Sequence, residues 1–243
     1  MAAGYTASQA MSIFGIAIGM TLPLLFIPIT LVGSISTALI PDISAAISNE
    51  DDKHVNNRIS SSIIITMFIA FFMIPLFIGA GENIGTFFFG NTTSGALLAS
   101  AAWIVLPMAL TNITSSMLNA LGMEVKSFVN YLVGSVFLFL SIWFLPSVIG
   151  IRALIVGMGT CVSITSILNI WMIKRKTKIK LNILKPFVLM ALFTIPSAAI
   201  TFFTTNLLTD VIPLFFSLAI SCMFGAAMLV IVCSIWNLMN VKA

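Results

Sequence analysis

Hydrophobic residues fill this sequence in long blocks, and charged residues occur mainly in the short segments between them. A helix needs about 20 apolar residues to cross a hydrocarbon core of about 30 Å. Seven blocks reach that length, so we predict an all-α, polytopic membrane helical bundle. The approximate bounds of the predicted spans are 10–40, 60–77, 96–121, 127–145, 153–173, 186–207 and 213–237.

The first span contains three prolines in a run from Gly19 to Ala46 that carries no charge before Asp42. A proline inside a helix removes one backbone hydrogen bond and clashes with the preceding turn. In lipid this defect is tolerated where neighbouring helices or cavity water satisfy the freed groups. We therefore predict a helix that bends at Pro23 and Pro28 and closes at Pro41 and Asp42. Ordinary bundle packing and a mobile, cavity-facing helix both remain open for it.

The third span carries a polar stripe formed by Asn112, Ser116 and Asn119. Spacings of four and then three residues place these side chains on one face of a helix. Hydrogen bonding between helices explains such a stripe as well as a hydrated cavity does. Both interpretations stay open at this point.

Two polar segments are predicted to connect spans. Ser48 to Arg58 reads as a short loop or helix end, and it contains His54, the one histidine of the chain. No second ligand or nucleophile lies near His54 in the sequence, so we expect neither a metal nor a catalytic role. Ile78 to Gly95 combines glycines with three phenylalanines and predicts an interfacial loop. Asp42 is expected to interact with the backbone after Pro41.

Composition supports the membrane prediction. The chain is 60% hydrophobic and 7% charged, with a mean hydropathy of +1.16, whereas ordinary globular domains contain about 25% charged residues. Soluble fold classes are excluded on this ground, and we expect one integral-membrane domain over residues 1–243. Cys161, Cys222 and Cys233 all fall in apolar blocks and are expected to be small buried apolar residues.

The basic residues are distributed unequally between the two sides of the predicted bundle. Placing the loops on alternate sides puts every Lys and Arg except Arg152 on one side, namely Lys53, Arg58, Lys126, Lys174, Arg175, Lys176, Lys178, Lys180, Lys185 and Lys242. The positive-inside rule makes that side cytoplasmic, so the N-terminus starts outside and the C-terminus ends inside. The net charge of +4 then reflects cytoplasmic loops, and no nucleic-acid partner is expected.

The sequence shows no arrangement typical of an enzyme. It has no paired carboxylates, no Ser/His/Asp set, no phosphate-binding glycine loop and no HExxH segment. We therefore expect no enzymatic activity, no cofactor and no metal. Ion-coupled carriers usually place a carboxylate at mid-membrane depth, whereas these spans offer amides, hydroxyls and proline-freed carbonyls.

Three parts of the sequence are similar to one known family: the segment from Ala2 to Ser48, the charged loop with Val55 and Arg58-Ile59-Ser60, and Leu118-Asn119-Ala120-Leu121-Gly122. On these parts the chain resembles the stage V sporulation protein B family of polysaccharide exporters. This family belongs to the superfamily of the lipid II flippases and the multidrug and toxin extrusion carriers. Its members have two seven-helix lobes, and this chain resembles the C-terminal lobe. The resemblance therefore implies a separate N-terminal lobe as partner.

The resemblance also implies a function and roles for particular residues. The expected activity is flipping of a polyprenyl-diphosphate-linked oligosaccharide or peptidoglycan precursor across the cell membrane by alternating access, in spore or cell-envelope synthesis. Asn112, Ser116 and Asn119 would form part of the substrate-binding wall, with Arg152 as an outer anionic contact. Gating would fall to four residues of the first span, namely Pro23, Pro28, Pro41 and Asp42.

Two other functions remain open. The chain is also compatible with half of a cation-coupled multidrug antiporter, because one fold serves several functions. It is further compatible with a structural membrane subunit or a truncated remnant that transports nothing itself.

Overall fold

The structure is a computed structural model that describes residues 6–177, 184–209, 211–225 and 227. Every regular element in those residues is helical, and no strand occurs among them. The all-α class predicted from the sequence is confirmed for this part of the chain.

Among the residues that the structure describes, six helices are long and apolar enough to cross a membrane, as in a multi-pass membrane protein. They are Ser8–Ser48, Asp52–Phe89, Thr92–Ala120, Glu124–Phe144, Arg152–Thr177 and Leu184–Thr209. The described part of the predicted seventh span is the shorter apolar helix Leu214–Gly225. Residues 228–237 of that span lie outside the described residues.

The helical elements follow one another with short connections. Their bounds are α1 Ala7–Ile16, a π turn Ala17–Thr21, α2 Leu22–Ser48, α3 Asp52–Phe89, α4 Thr92–Ala101, a 3-10 turn Ala102–Ile104, α5 Val105–Ala120, α6 Glu124–Phe144, α7 Pro146–Ile149, α8 Arg152–Thr177, α9 Leu184–Thr209 and α10 Leu214–Gly225.

Two sequence predictions about element ends are wrong. Helix α2 continues through Pro41 and Asp42 to Ser48, because a proline removes one hydrogen bond without ending a helix whose neighbours support it. Helix α3 continues to Phe89 through most of the segment predicted as an interfacial loop. Gly79, Gly81, Gly85 and Gly95 of that segment serve close helix packing, described below, whereas Gly90, with φ 61°, lies in the short turn between α3 and α4.

The connection between α2 and α3 is shorter than predicted and is fixed by local hydrogen bonds. Only residues 49–51 separate the two helices. Glu50 adopts a left-handed conformation with φ 55°, and Asp51 Oδ1 accepts a hydrogen bond from the His54 backbone N–H at 2.9 Å. An aspartate that caps the first N–H groups of a helix explains why α3 begins here.

Both departures from α-helical geometry in the transmembrane helices lie one turn before a proline. The π turn Ala17–Thr21 includes Gly19, four residues before Pro23, and closes with a Leu22 N–H to Ala17 carbonyl hydrogen bond. The 3-10 turn Ala102–Ile104 includes Trp103, four residues before Pro107. Because a proline ring clashes with the carbonyl four residues earlier, local unwinding or tightening relieves that contact. In the first span, where bends at Pro23 and Pro28 are predicted, the structure has a π turn before Pro23 and a continuous helix through Pro28.

The tertiary contacts group the chain into two compact units. Unit 1 comprises Met1–Gly15, Phe26–Met67 and Trp103–Leu181, and unit 2 comprises Ile16–Leu25, Phe68–Ala102 and Asn182–Ala243. The sequence predicts one domain. The pattern of apolar blocks does not predict the division into two units.

Unit 1 is held together by close packing of α8 against α6 and α5. A Cβ on Gly134 of α6 would overlap the Thr165 hydroxyl and approach the Cys161 carbonyl at 2.6 Å, and one on Gly157 of α8 would lie 3.0 Å from Leu138. Small residues at such positions let membrane helices approach closely. Cys161 is buried at this contact, as predicted, whereas Cys222 is half-buried and Cys233 lies outside the described residues.

Unit 2 uses glycines in the same way where α3 crosses α4. A Cβ on Gly95 would overlap the Gly81 carbonyl, and one on Gly85 would lie 2.7 Å from the Gly95 Cα. Gly79 lies on another side of α3, where a Cβ would meet the Ala198 carbonyl at 2.6 Å and Thr201 Cβ at 2.8 Å. The glycines of α3 thus bring this helix against both α4 and α9.

Helices α6 and α9 bury small or polar residues and expose large apolar ones. The buried residues of α6 are Ser127, Asn130 and Gly134, whereas Phe139 and Trp143 are 71% and 83% exposed. Helix α9 buries Ser197, Thr201 and Thr205 and exposes Ile195 and Phe203. This inversion of the soluble pattern is expected where lipid covers the outside of a bundle. It adds to the support that length and hydropathy give for membrane insertion.

We predict that Gly95→Ala lowers the free energy of unfolding by about 1–3 kcal/mol, as overpacking does, because the added Cβ meets backbone atoms of α3 that cannot rotate away. Reversible unfolding in lipid bicelles measures this change.

Gly33→Ala is the matched control, because a Cβ there meets nothing within 4 Å. A Gly95→Ala protein as stable as the Gly33→Ala protein would contradict the observed α3–α4 packing.

Candidate functional site

In the structure, the three residues of the predicted polar stripe of α5 have different environments. Asn112 is half-buried, and its Oδ1 accepts a hydrogen bond from Ser36 Oγ of α2 at 2.9 Å. Ser116 is also half-buried and donates to the Asn112 backbone carbonyl at 3.2 Å. Asn119 is exposed. Interhelical bonding thus accounts for Asn112, whereas Asn119 is accessible to a ligand or to solvent.

A buried amide pair that the sequence analysis did not single out lies deeper in unit 1. Asn130 Nδ2 of α6 donates to Asn169 Oδ1 of α8 at 2.9 Å. Asn169 Nδ2 donates in turn to Thr114 Oγ1 at 3.2 Å and Ser115 Oγ at 3.1 Å of α5. Asn130 and Asn169 are 3% and 0% exposed. The pair therefore joins three helices and is structural in this conformation, since its amide donors are used within the protein.

Helix α2 differs from α6 and α9 in the residues it exposes. Its exposed face carries the hydroxyl stripe, formed by Thr30, Ser34 and Thr37, and continues to Pro41. Spacings of four, three and four residues align these positions along one face. Phe26, Ile27 and Leu31 are exposed near the beginning of this face, but from Ser34 to Ala46 every exposed residue is small, hydroxylated or proline.

The backbone adds polar character to the hydroxyl stripe. Each of its side chains donates to a carbonyl of its own helix, with Thr37 Oγ1 bonding the Ser34 carbonyl at 2.9 Å. Pro41 has no N–H to donate to the Thr37 carbonyl four residues earlier. The stripe therefore presents hydroxyl oxygens and a proline-freed carbonyl that accept hydrogen bonds from water, a ligand or another helix.

A charged cluster lies next to the α2–α3 turn. Arg58 Nε donates to Asp42 Oδ2 at 2.7 Å, and His54 Nε2 lies 3.2 Å from Asp42 Oδ1. Asp42 and Arg58 each lie about 9 Å along their helices from the turn, at 1.5 Å per residue. The expectation that Asp42 interacts with the backbone after Pro41 is replaced by this ion pair, which requires the pairing of α2 with α3.

The Asp42–Arg58 pair remains accessible. The side chains of Asp42 and Arg58 are 35% and 53% exposed, and exposed ion pairs contribute only about 0–1 kcal/mol to stability. The Arg58 guanidinium can therefore exchange Asp42 for another anion at little energetic cost. Within the described ranges, no group of three or more His, Cys, Asp or Glu side chains is arranged to hold a metal ion.

The remaining predicted site residues lie at separate positions. Pro23 is exposed directly after the π turn, Pro28 is buried within α2, and Pro41 is exposed at the end of the hydroxyl stripe. Arg152 is exposed at the first residue of α8. The dipole at a helix N-terminus does not attract a positive charge. The Arg152 guanidinium is therefore not held by its own helix and is accessible to an anion.

Comparison with known protein families, with curated proteins and with solved structures finds no match to this chain. The resemblance to polysaccharide exporters therefore stays a prediction that rests on the sequence segments named above.

We predict that Asn130→Ala and Asn169→Ala each lower the free energy of unfolding, and that the double variant shows a coupling energy of about 0.6–1.7 kcal/mol, as for interhelical hydrogen bonds in membrane proteins. The reason is that either change leaves a buried amide of the partner unpaired. A double-mutant cycle in bicelles provides the measurement.

Ser135→Ala serves as control, because this hydroxyl bonds only to the Leu132 carbonyl of its own turn. Independent, additive effects of the two asparagine substitutions would show that the Asn130–Asn169 bond does not hold α6 to α8.

Proposed function

We propose that this chain is one lobe of a membrane flippase for a polyprenyl-diphosphate-linked saccharide, with α2 lining the translocation path. The observation that carries the proposal is the hydroxyl stripe of α2, which is exposed where α6 and α9 expose large apolar residues. The proposal also rests on the resemblance of the α2 region to polysaccharide exporters.

The energetics of the hydrocarbon core favour a polar environment for the stripe. A backbone group without a hydrogen-bond partner costs several kcal/mol in lipid, and Pro41 removes the usual donor to the Thr37 carbonyl. If the stripe faces water or a polar substrate, the Thr37 carbonyl finds a hydrogen-bond donor and this cost is removed. A water-filled path along α2 therefore explains why hydroxyls and a proline occupy its exposed face.

The chemistry of the exposed groups fits a saccharide carried on a diphosphate. Sugar hydroxyls both donate and accept hydrogen bonds, as do the Thr and Ser side chains of the stripe. A diphosphate needs cationic donors, and Arg58 can bind phosphate oxygens through its guanidinium. Arg152 offers a second cation on the other predicted side of the membrane. Asn119 extends the neutral wall from α5.

The proposed lobe requires a partner and an orientation. A second seven-helix lobe would close the path over the α2 stripe, as the resemblance implies. The distribution of basic residues supports an orientation with the α2–α3 turn on the cytoplasmic side, the N-terminus outside and the C-terminus inside. Alternating access would then arise from rocking of the two lobes about the path.

A cation-coupled antiporter lobe is the second candidate, and the accessible Asp42 carboxylate favours it. Cation exchange at Asp42 would require its Arg58 contact to open. Transport of a cationic dye that depends on a proton or sodium gradient would identify this function, whereas the flippase needs a diphosphate lipid as substrate.

We predict that the variant Thr30→Val/Ser34→Ala/Thr37→Val lowers the flipping rate of a fluorescent polyprenyl-diphosphate sugar at least tenfold, because the path loses its hydroxyl groups. The chain is reconstituted in proteoliposomes together with the proposed seven-span partner lobe, and dithionite bleaching of the outer leaflet reports flipping.

Ser135→Ala/Thr160→Val is the control, because both hydroxyls bond carbonyls of their own helices outside the stripe. Parent-like flipping by the stripe variant, or the absence of flipping by the parent complex, would contradict the proposed function.

We further predict that Pro23→Ala slows flipping without impairing insertion, because an alanine N–H restores the bond to the Gly19 carbonyl and favours a regular helix over the π turn. Pro28→Ala, at a buried position of the same helix, is also expected to slow flipping. The flipping assay and sided labelling of the inserted chain measure these effects. Parent-like flipping by both variants would remove the gating role of the prolines.

A further inference from the structure

The last turn of α8 forms an exposed basic surface beside an aromatic ring. Lys174, Arg175 and Lys176 are consecutive and exposed. The Arg175 guanidinium lies 5.5 Å from the centre of the Trp171 ring, and Trp171 is 53% exposed. We call these four residues the α8 basic turn.

The α8 basic turn is rigidly attached to unit 1. Ile173 lies within the turn and is fully buried, and Thr177 Oγ1 donates to the Ile173 carbonyl at 2.7 Å. Directly before Ile173, Met172 Sδ accepts from Asn130 Nδ2 at 3.4 Å. The basic side chains therefore extend from a helix end whose position is fixed.

Few acidic groups balance these charges. The sequence has no Asp or Glu between Ala153 and Thr209. Because Asn130 of α6 pairs with Asn169 and Met172 of α8, the beginning of α6 lies at the same end of unit 1 and brings Glu124 and Lys126 there with opposite charges. The ion pairs of the described residues all involve Asp42. The basic turn thus keeps its positive charge.

The helix dipole does not account for three adjacent cations. A helix C-terminus carries roughly half a negative charge. That charge is too small to neutralise even one of these cations. The three side chains therefore leave an excess of positive charge at this helix end, which attracts anions. Trp171 indicates where those anions lie, because tryptophan rings prefer the headgroup level of a membrane and this ring holds the Arg175 guanidinium close by.

We propose that the α8 basic turn binds the headgroups of anionic phospholipids. Lys174 and Lys176 supply ammonium donors to phosphate oxygens, and Arg175 supplies a guanidinium held at headgroup depth by its cation–π contact with Trp171. Basic residues next to a transmembrane helix attract anionic lipids in this way. The surface retains such lipids around unit 1 independently of what the chain transports.

The test is lipid retention by the full chain. The chain is purified from nanodiscs of equal phosphatidylglycerol and phosphatidylcholine, and native mass spectrometry counts the lipids that stay bound. The parent should prefer phosphatidylglycerol. Lys174→Gln/Arg175→Gln/Lys176→Gln should lower this preference by about fivefold for each charge removed.

Two control variants separate the basic turn from general charge. Lys174→Arg/Lys176→Arg keeps the charge and should retain the parental preference. Lys53→Gln removes an exposed charge elsewhere and should also leave the preference unchanged. Retention of phosphatidylglycerol by the triple Gln variant at the parental level would overturn the proposal, as would an equal loss in Lys53→Gln.

Loop charges also set the orientation of a membrane protein, so sided labelling checks that the triple variant inserts as the parent does. A second measurement avoids this question, because it leaves the basic turn intact. In a chain whose other tryptophans are replaced by phenylalanine, headgroup-spin-labelled phosphatidylglycerol should quench Trp171 fluorescence more strongly than the phosphatidylcholine analogue. The difference should disappear at high salt. Equal quenching by the two lipids would overturn the proposal whatever the triple variant does.

Discussion

The structure depends on the need to satisfy every backbone N–H and carbonyl where no water is present. This constraint explains the all-helical fold of the described residues. It also explains where the helices depart from α geometry, since the π turn and the 3-10 turn each lie one turn before a proline. Pro41 lies within α2 on an exposed face, as Pro196 does within α9, but Pro41 continues the row of exposed hydroxyls. The carbonyl that it frees at Thr37 is therefore available to water or to a ligand.

The two units meet this constraint with the same kind of packing. Glycines bring the backbones of α3 and α4 together in unit 2, and Gly134 does so for α6 and α8 in unit 1. Buried hydroxyls and amides then bond across the close contacts, as Asn130 does with Asn169. Large apolar side chains occupy the interior, as Leu25, Ile59 and Met67 do, and they also cover the outer faces of α6 and α9. The hydroxyl stripe of α2 is an exception to this arrangement, and for that reason it indicates a function.

The sequence predicted what depends on local composition and missed what depends on helix pairing. The apolar blocks predicted the helices. Pro23 led to the prediction of a bend, and the structure has a π turn before this residue. Glycines near Gly81 were interpreted as a loop, because sequence alone does not show that α4 lies against them. The Asn130–Asn169 bond joins residues 39 positions apart, and the Asp42–Arg58 pair needs the α2–α3 hairpin. The hydroxyl stripe was detectable, since Thr30, Ser34, Thr37 and Pro41 share one helical face.

The central claim is that the hydroxyl stripe of α2 faces water along a transport path. Thiol accessibility tests it most directly, because methanethiosulfonate reagents react with the thiolate that forms in water. Single cysteines at Thr30, Ser34 and Thr37, in a chain whose own cysteines are replaced by alanine, are exposed to a charged reagent in native membranes. We predict rapid modification at all three positions and little at Phe139→Cys of α6, which faces lipid. Stripe cysteines as unreactive as that control would contradict the account.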